Sequence, residues 1–375
     1  MYFLFTLPAV LFIFVVLFCE YFIYYIVLYQ CSWPILKKPL ENGTLVQVPD
    51  EDVLRVALIA DVHLLGTRKG HWFDKLRREW QMYMSFQALL ELHDPEVVFI
   101  LGDIFDEGSF SPDEVYSTYV KRFFHLFRTN NRTELYVVAG NHDIGFHYAM
   151  HPYLEHRFST TFKAPSVQLL TKKNVHFVLI NSMALEKDGC HMCNKAEAQI
   201  KYIGSRFKCT NGTGKCYQGM QLKSYSRPVL LQHFPLYRES DAVCNETDEA
   251  PYPEKIQKFK EKWDCLSQEA TDFLLNILYP RVVFGGHTHH GCHVIHKRDI
   301  HEYTIPSFNW RNKPNPSFSM ALFTPDQYVI SKCHMPNEYF VIGLYIITVI
   351  FNVLFFYHAP KFYVKKLEAK IKKQK

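Results

Sequence analysis

The sequence predicts an α/β globular domain placed between two membrane-spanning helices. Of its 375 residues 48% are apolar, which is enough to form the core of one large domain or of two small ones. Short runs rich in β-branched and aromatic residues alternate with longer amphipathic or polar stretches, a pattern typical of α/β proteins. Near each end of the chain lies one further segment that contains almost no charge.

The two charge-poor segments each have about the length that crosses a bilayer, ~20 residues. Residues 2–29 contain Glu20 as their single charged residue, and residues 339–357 contain none. A cleaved signal peptide is the alternative for the first segment, but that segment lacks a basic start and exceeds the usual apolar length of roughly 7–15 residues. We therefore predict membrane helices at residues 1–30 and 338–358, with the first one retained.

The C-terminal tail predicts the orientation of the chain. Residues 359–375 contain seven lysines and one glutamate, so the positive-inside rule places the tail in the cytosol. The linker 31–52 and the domain 53–337 then lie in the lumen, although Lys37 and Lys38 argue weakly for the opposite. The tail also accounts for the whole net charge of +5, which leaves the rest of the chain near neutral and argues against a nucleic-acid partner.

Glycosylation and cysteine patterns agree with a lumenal domain. Four acceptor triplets for N-glycosylation lie in the predicted lumenal part, at Asn42, Asn131, Asn211 and Asn245. Nine cysteines lie there too, so one thiol should stay unpaired. The cysteines between residues 190 and 216 could form a zinc knuckle, but an oxidising compartment favours disulfides. Cys31 and Cys333 each flank a predicted span and form our expected pair.

The elements of the domain follow from the hydrophobic pattern. Short apolar runs predict strands at residues 54–60, 97–101, 135–139, 175–181, 229–232, 281–284, 301–305, 320–323 and 328–331. Longer amphipathic stretches predict helices at residues 74–92, 113–128 and 267–278. The Cys-rich insertion at about 186–227 is expected to be irregular.

Five of these strands end in polar side chains. In chain order these are Asp61 and His63, then Asp103 and Asp106, then Asn141, His142 and Asp143, then His233, and finally His287 and His289. The carboxyl ends of strands in open α/β sheets line one crevice, so these side chains should converge. A lone histidine at a strand end is usually structural, but five such turns in order indicate a metal site. Carboxylate, amide and imidazole ligands without thiolate suit Mn, Fe or Zn.

The ordered motifs resemble those of the calcineurin-like metallophosphoesterase superfamily over about residues 53–333. The resemblance implies a four-layer fold, in which helices flank two mixed β-sheets, and two divalent metal ions at the strand ends. It assigns Asp61, His63, Asp103 and His289 to one ion, and Asp103, Asn141, His233 and His287 to the other. Two such ions activate water and clamp the attacking and leaving oxygens at phosphorus. If Asn141 is a ligand, His142 is free to donate a proton to the leaving oxygen, with Asp106 as its orienting partner.

A narrower resemblance concerns the branch of this superfamily that remodels glycosylphosphatidylinositol (GPI) anchors. It rests on the two spans around the domain and on the segments 71–82 and 306–312. It implies Mn²⁺ as the metal, GPI-anchored proteins as substrates, and removal of the side-chain ethanolamine phosphate from the second mannose. A lumenal enzyme acting on a phosphoprotein, nucleotide or lipid ester is one alternative, and a noncatalytic cargo receptor is the other.

Further candidates concern location and substrate binding. Lys372 and Lys373 resemble a dilysine retrieval signal read by a coat complex, which predicts endoplasmic reticulum exit sites, the ER–Golgi intermediate compartment and the cis-Golgi. A basic juxtamembrane tail is the alternative. Substrate contacts are predicted at four residues, His147, His290, Trp310 and Arg311. Packing is the alternative for Trp310 and Arg311, and an ordinary buried or surface histidine is the alternative for the other two.

Overall fold

Two β-sheets form the centre of the computed structural model, which describes residues 2–39, 43–146, 149–187 and 189–374. The strands in these ranges are β1 (Lys37–Pro39), β2 (Leu45–Gln47), β3 (Leu54–Ile59), β4 (Val97–Leu101), β5 (Glu134–Val138), β6 (Val167–Lys172), β7 (Val175–Ile180), β8 (Val229–Leu231), β9 (Val282–Gly285), β10 (Cys292–His296), β11 (Ile300–Thr304), β12 (Ser317–Phe323) and β13 (Tyr328–His334).

Helices lie outside the sheets and at both ends of the chain. The α-helices are α1 (Tyr2–Leu17), α2 (Ile23–Tyr29), α3 (Trp72–His93), α4 (Asp113–Leu126), α5 (Asn141–Ile144), α6 (Pro152–Phe162), α7 (Cys193–Thr210), α8 (Tyr252–Lys255), α9 (Gln268–Leu278) and α10 (Glu338–Gln374). A π-helical turn, Phe18–Phe22, joins α1 to α2.

The sheets are mixed, as the resemblance implies. The first has the order β13-β12-β3-β4-β5, with β3, β4 and β5 parallel, and the second has the order β10-β11-β9-β8-β7-β6, with β7, β8, β9 and β11 parallel. All five strands that precede the predicted ligands are therefore parallel to a neighbour, and their carboxyl ends point to one edge of each sheet.

Alternation along the strands separates two cores. In β3, Val56 and Leu58 point to the core between the sheets, together with Phe99 and Phe177. The intervening residues of β3 pack on the outer side, in the core that includes residues of α3 and α4. Because α7 and α9 cover the second sheet in the same way, the domain has four layers.

Three sequence expectations about elements were incomplete or wrong. The insertion at 186–227 is not irregular throughout, since α7 occupies eighteen of its residues. The strands β1, β2, β6 and β10 and the helices α5, α6 and α8 were not predicted either. Strands β1 and β2 form a separate exposed pair, and β6 and β10 lie at sheet edges, where only one neighbouring strand is present and side chains are partly exposed, so the apolar pattern of all four is weak.

The terminal helices are candidate membrane spans by length and composition, over Thr6–Tyr29 and Glu338–Ala359. Within the first, α2 packs on α3 and β13, and its residues Ile23, Tyr24 and Leu28 are buried. The 21 residues before α2 have a helical length of about 31 Å, close to the hydrocarbon thickness of ~30 Å. The helix α10 continues without a break through the predicted tail to Gln374 and includes Lys372 and Lys373.

Four disulfides confirm the predicted oxidised cysteines. Cys31 and Cys333 are joined, and the other pairs are Cys190–Cys193, Cys209–Cys216 and Cys244–Cys292. The buried Cys265 is the unpaired thiol that the odd number predicted. Of the four acceptor asparagines, Asn131, Asn211 and Asn245 are exposed in loops or turns, while Asn42 lies outside the described residues.

Candidate dimetal active site

The loops after β3, β4, β5, β8 and β9 bring the seven predicted ligand side chains together. Nε2 of His63 lies 3.0 Å from Nε2 of His289, and both are 3.8 Å from Oδ1 of Asp61. On the other side, Nε2 of His233 lies 3.1 Å from Oδ1 of Asn141 and 3.3 Å from Nδ1 of His287.

The carboxylate of Asp103 lies between these two groups. Its Oδ2 is 3.4 Å from Nε2 of His63 and 3.4 Å from Nε2 of His233. The potential ligand atoms of Asp61, His63 and His289 lie within 4.8 Å of one another, as do those of Asp103, His233 and His287. The grouping matches the two ligand sets of the sequence analysis, with Asp103 in the shared position.

Hydrogen bonds on the far side of three imidazoles select which nitrogen faces the cluster. Nδ1 of His233 donates to the carbonyl of Leu101 at 2.7 Å, and Nε2 of His287 donates to the carbonyl of Trp263 at 2.8 Å. His233 therefore presents Nε2, whereas His287 presents Nδ1. Nδ1 of His63 faces Asp106 at 3.3 Å. Such partners fix the tautomer and orientation of metal-binding histidines.

Five of the seven predicted ligands have left-handed backbone conformations. Their φ angles are 53° at Asp61, 41° at His63, 47° at Asp103, 75° at His287 and 63° at His289. A non-glycine residue in this conformation costs roughly 1–3 kcal/mol of conformational strain, so a cluster of such residues is unusual outside functional sites. These conformations turn the chain after β3, β4 and β9 and keep these side chains at the sheet edge.

The electrostatics of the cluster test whether cations would fit. Oδ1 of Asp61 is buried without a hydrogen-bond partner, and burial raises the pKa of this carboxyl group to about 8. Burial and the neighbouring His233 lower the pKa of His287 to about 3. Burial alone would lower the pKa of His233, but the facing Asp103 carboxylate outweighs it and raises the pKa to about 9.

Burial of these carboxylates and imidazoles without a cation is unfavourable in free energy, and a bound cation would offset that cost. Nitrogen lone pairs and carboxylate oxygens point toward shared positions, and a bound cation favours the ionised form of Asp61 and the neutral form of the imidazoles. The donor set consists of oxygen and nitrogen atoms without sulfur, which suits divalent Mn, Fe or Zn. The residues therefore fit two divalent ions.

His142 and Asp106 lie beside the ligand groups. Nδ1 of His142 donates to the backbone carbonyl of Asp106 at 3.0 Å and lies 3.6 Å from its carboxylate. The carboxylate is closer to His63, so Asp106 orients a predicted metal ligand as well as His142. The bond to the carbonyl leaves Nε2 of the partly exposed His142 for a substrate oxygen.

Two cations flank Asp106, and the sequence analysis had identified one of them. Nη1 of Arg311 contacts Oδ1 of Asp106, and Nζ of Lys69 lies 3.3 Å from Oδ2. Burial raises the pKa of Asp106, but the hydrogen bonds from His63 and Arg311 outweigh burial and hold the pKa below its usual value. Lys69 was missed because it belongs to no motif; its backbone N–H donates to the buried carboxylate of Glu107 at 2.8 Å.

Of the other predicted substrate contacts, Trp310 and His290 lie outside the two ligand groups. Trp310 is only 3% exposed, its indole N–H donates to the carbonyl of Pro336, and its ring packs near Tyr24. A sugar cannot stack on this buried ring, which corrects the expectation for Trp310. His290 lies 3.4 Å from Glu254 and outside both ligand groups. His147 lies outside the described residues. An aromatic at the site that the sequence analysis missed is Trp263, whose carbonyl holds His287.

Comparisons with known proteins show the family of this chain. A profile of the calcineurin-like phosphoesterase family matches residues 54–291. Metallophosphoesterase 1 of Gallus gallus is 48% identical over 335 residues, which cover 88% of this chain and 84% of the relative. The Metallophosphoesterase 1 homolog of Drosophila melanogaster is 47% identical, and the aligned residues cover 88% of this chain and 86% of the relative.

Among solved structures, a dimetal phosphatase from Danio rerio superposes with a TM-score of 0.46 at 13% identity, covering 76% of this chain and 99% of that one. The family profile and the curated relatives establish the assignment on sequence alone. The chain belongs to the calcineurin-like phosphoesterase family and is a metal-dependent phosphoesterase.

Proposed function

We propose that this protein is a dimetal phosphodiesterase that removes the side-chain ethanolamine phosphate from the second mannose of GPI anchors. We further propose that Mn²⁺ occupies the two metal positions. We also propose that the protein is located in the early secretory pathway and is retrieved there through Lys372 and Lys373. The observation that supports it most directly is the closeness of the site to the candidate spans. Arg311 contacts Asp106, while its neighbour Trp310 packs near Tyr24 of the first span.

This closeness suits a substrate that is itself tied to the membrane. The loop that carries Trp310 and Arg311 is also joined to the ligand loop, because Oγ of Ser307 donates to the backbone carbonyl of Asp61 at 2.7 Å. One short segment thus connects a metal ligand, the Asp106 side chain and the first span. We therefore expect a phosphodiester at the membrane surface to reach this edge of the domain.

The side chains around the cluster have distinct proposed roles in the reaction. Two bound divalent ions would supply an activated water and electrostatic stabilisation at phosphorus. Asp61, His63, Asp103 and His289 would hold one of them, and the group of Asn141, His233 and His287 would share Asp103 to hold the other.

The remaining steps belong to residues beside the ligands. Nε2 of His142 donates a proton to the leaving oxygen, because Nδ1 is held by the carbonyl of Asp106. The guanidinium of Arg311 and the ammonium of Lys69 donate to the non-bridging oxygens of the phosphate. Asp106 keeps both cations at the edge of the site before substrate binds.

The deciding experiment is mass spectrometry of GPI glycans from cells that lack this protein. The intact chain, an Asp103→Ala variant and an Asp52→Ala control are restored separately; Asp52 is an exposed acidic residue before β3. We expect ethanolamine phosphate to persist on the second mannose without the protein, and to be removed by the intact chain and the control only.

Two other outcomes of this experiment would contradict the proposed substrate or the proposed catalysis. Normal GPI glycans in the deficient cells, with accumulation of another phosphate ester, would refute the substrate and retain the phosphoesterase. Rescue by Asp103→Ala would mean that the site chemistry is not needed, as for a cargo receptor.

A further inference from the structure

An apolar groove lies between the beginning of α3 and the lumenal part of α10. Its volume is about 720 Å³, within the range of small-molecule sites. One wall is formed by Phe73, Leu76 and Trp80 of α3, and the other includes Ile342 and Ile346 of α10. This groove belongs to no part of the metal site.

The walls of the groove are apolar and exposed. Phe73 is 56% exposed, Leu76 58% and Ile346 54%. Contiguous apolar surface of this kind on a protein marks contact with another apolar phase or partner. The wall on α10 lies within a candidate span, so the phase that covers this wall in a membrane is lipid.

Contacts across the groove place it near the membrane–water interface. The indole N–H of Trp80 donates to the carbonyl of Glu20 at 2.8 Å, and the hydroxyl of Tyr345 donates to the Glu20 carboxylate at 2.6 Å. Glu20 lies in the first candidate span, in the π-helical turn Phe18–Phe22. The helix from Tyr2 to the end of this turn is about 31 Å long. Tryptophan and tyrosine are enriched at this depth.

A cationic donor stands at the rim. Nη1 of Arg77 donates to Glu338 at 2.8 Å, and the guanidinium lies 5.0 Å above the ring of Trp310. Nη2 of the same group is buried without a hydrogen-bond partner and belongs to a residue that lines the groove. A guanidinium at the rim of an apolar groove matches the order of a phospholipid, oxygen-rich at the top and apolar below.

We propose that the groove binds a phospholipid of the lumenal leaflet. One acyl chain lies between α3 and α10, and a phosphate or ester oxygen lies beside the Arg77 guanidinium at the rim. The inference rests on the proposed function in one respect, namely that the terminal helices span a membrane. Because Arg77 covers Trp310 and the next residue, Arg311, contacts Asp106, the bound lipid supports the loop that positions Arg311.

The test uses the full chain in phosphatidylcholine vesicles doped with phosphatidylcholine that carries a diazirine in one acyl chain. After illumination, mass spectrometry locates the labelled peptides. We expect labelling to concentrate at residues 73–80 and 342–346. Labelling of 73–80 no stronger than at the exposed Tyr202 on α7 would overturn the proposal.

A matched pair of variants separates the groove from the general lipid-facing surface. Ile346→Trp fills the groove, whereas Ile347→Trp adds the same ring at the next position, which is 65% exposed and outside the groove. The first should lower labelling of residues 73–80 about fivefold or more, an effect of the size that overpacking produces, and the second should not. Equal labelling of 73–80 in the two variants would refute a defined site.

Further readouts keep this inference distinct from the proposed function. Removal of the protein from vesicles by alkaline carbonate would refute the membrane premise. Absent labelling with normal release of ethanolamine phosphate would refute the groove alone, and normal labelling without that release would refute the proposed substrate alone. Displacement of the label by a purified GPI anchor, but not by excess phosphatidylcholine, would show that the substrate's own lipid is the occupant and overturn the proposal.

Discussion

Gly140 precedes Asn141 and His142, and the structure leaves no room for a side chain at this position. A Cβ atom there would lie 2.2 Å from the backbone nitrogen of Asp103 and 2.2 Å from its Oδ1. Real Cβ atoms essentially never approach other atoms closer than 3.0 Å. In the Gly140→Ala variant Asp103 must therefore move by about 1 Å, and the clashing atoms include backbone, so rotation of a side chain cannot relieve the contact.

The size of the effect follows from the shared position of Asp103. A misplacement of about 1 Å in a positioned group can lower activity about 10²-fold. Since Oδ2 of Asp103 lies 3.4 Å from ring nitrogens of both ligand groups, both metal positions should weaken. Overpacking of this kind should also lower the free energy of unfolding by about 1–3 kcal/mol.

The assay combines kcat/KM on a chromogenic phosphodiester, metal content by mass spectrometry and thermal unfolding. The control is Gly285→Ala at the end of β9, because a Cβ at Gly285 would meet its neighbours at 3.4 and 3.5 Å, ordinary contact distances. The control should stay within about threefold of wild type, since substitutions without a clash usually change little. Gly140→Ala with two metal equivalents and activity equal to the control would refute the steric argument.

Three further predictions concern other parts of the molecule. His142→Ala should lower kcat by about 10²–10⁴ with unchanged metal content, and loss of metal would show that the role is misassigned. Arg311→Ala should raise KM and so lower kcat/KM about 10- to 100-fold, because a hydrogen bond to a charged phosphate is lost. The metal content should not change, and kcat/KM of Arg311→Lys should lie between those of Arg311→Ala and wild type. An unchanged KM in Arg311→Ala would contradict this role. Cys31→Ser combined with Cys333→Ser should destabilise the domain by about 2–4 kcal/mol in a denaturant titration, and an unchanged midpoint would argue against the closed loop.

The ligand loops could be predicted because their chemistry is local. Each polar cluster directly follows a buried strand, and the strand direction alone carries it to the common edge. The edge strands β6 and β10 could not be predicted in this way. The segment of β10, Cys292–His296, has two adjacent apolar residues, Val294 and Ile295, between two partly buried histidines, so it lacks the apolar–polar alternation of a strand.

Residues beside the ligands depend on contacts that no local pattern encodes. Trp310 and Arg311 are neighbours, yet one packs in the core near the first span and the other contacts Asp106. Lys69 reaches the site because Glu107, 38 residues further along the chain, holds its backbone N–H. A single sequence contains no signal for either arrangement, because each is decided by the packing of distant segments.

The attachment of the domain to its terminal helices has a consequence for how targets are met. The helix α2 is packed into the domain, and the Cys31–Cys333 bond ties the segment after it to the penultimate residue of β13, shortly before α10. A domain that is attached at both ends in this way cannot move on a flexible linker to reach molecules in the surrounding solution. In a bilayer, the rate of encounter with membrane-anchored substrates would then depend on lateral diffusion within one leaflet. The rate of turnover should therefore scale with the surface density of the substrate and not with its bulk concentration.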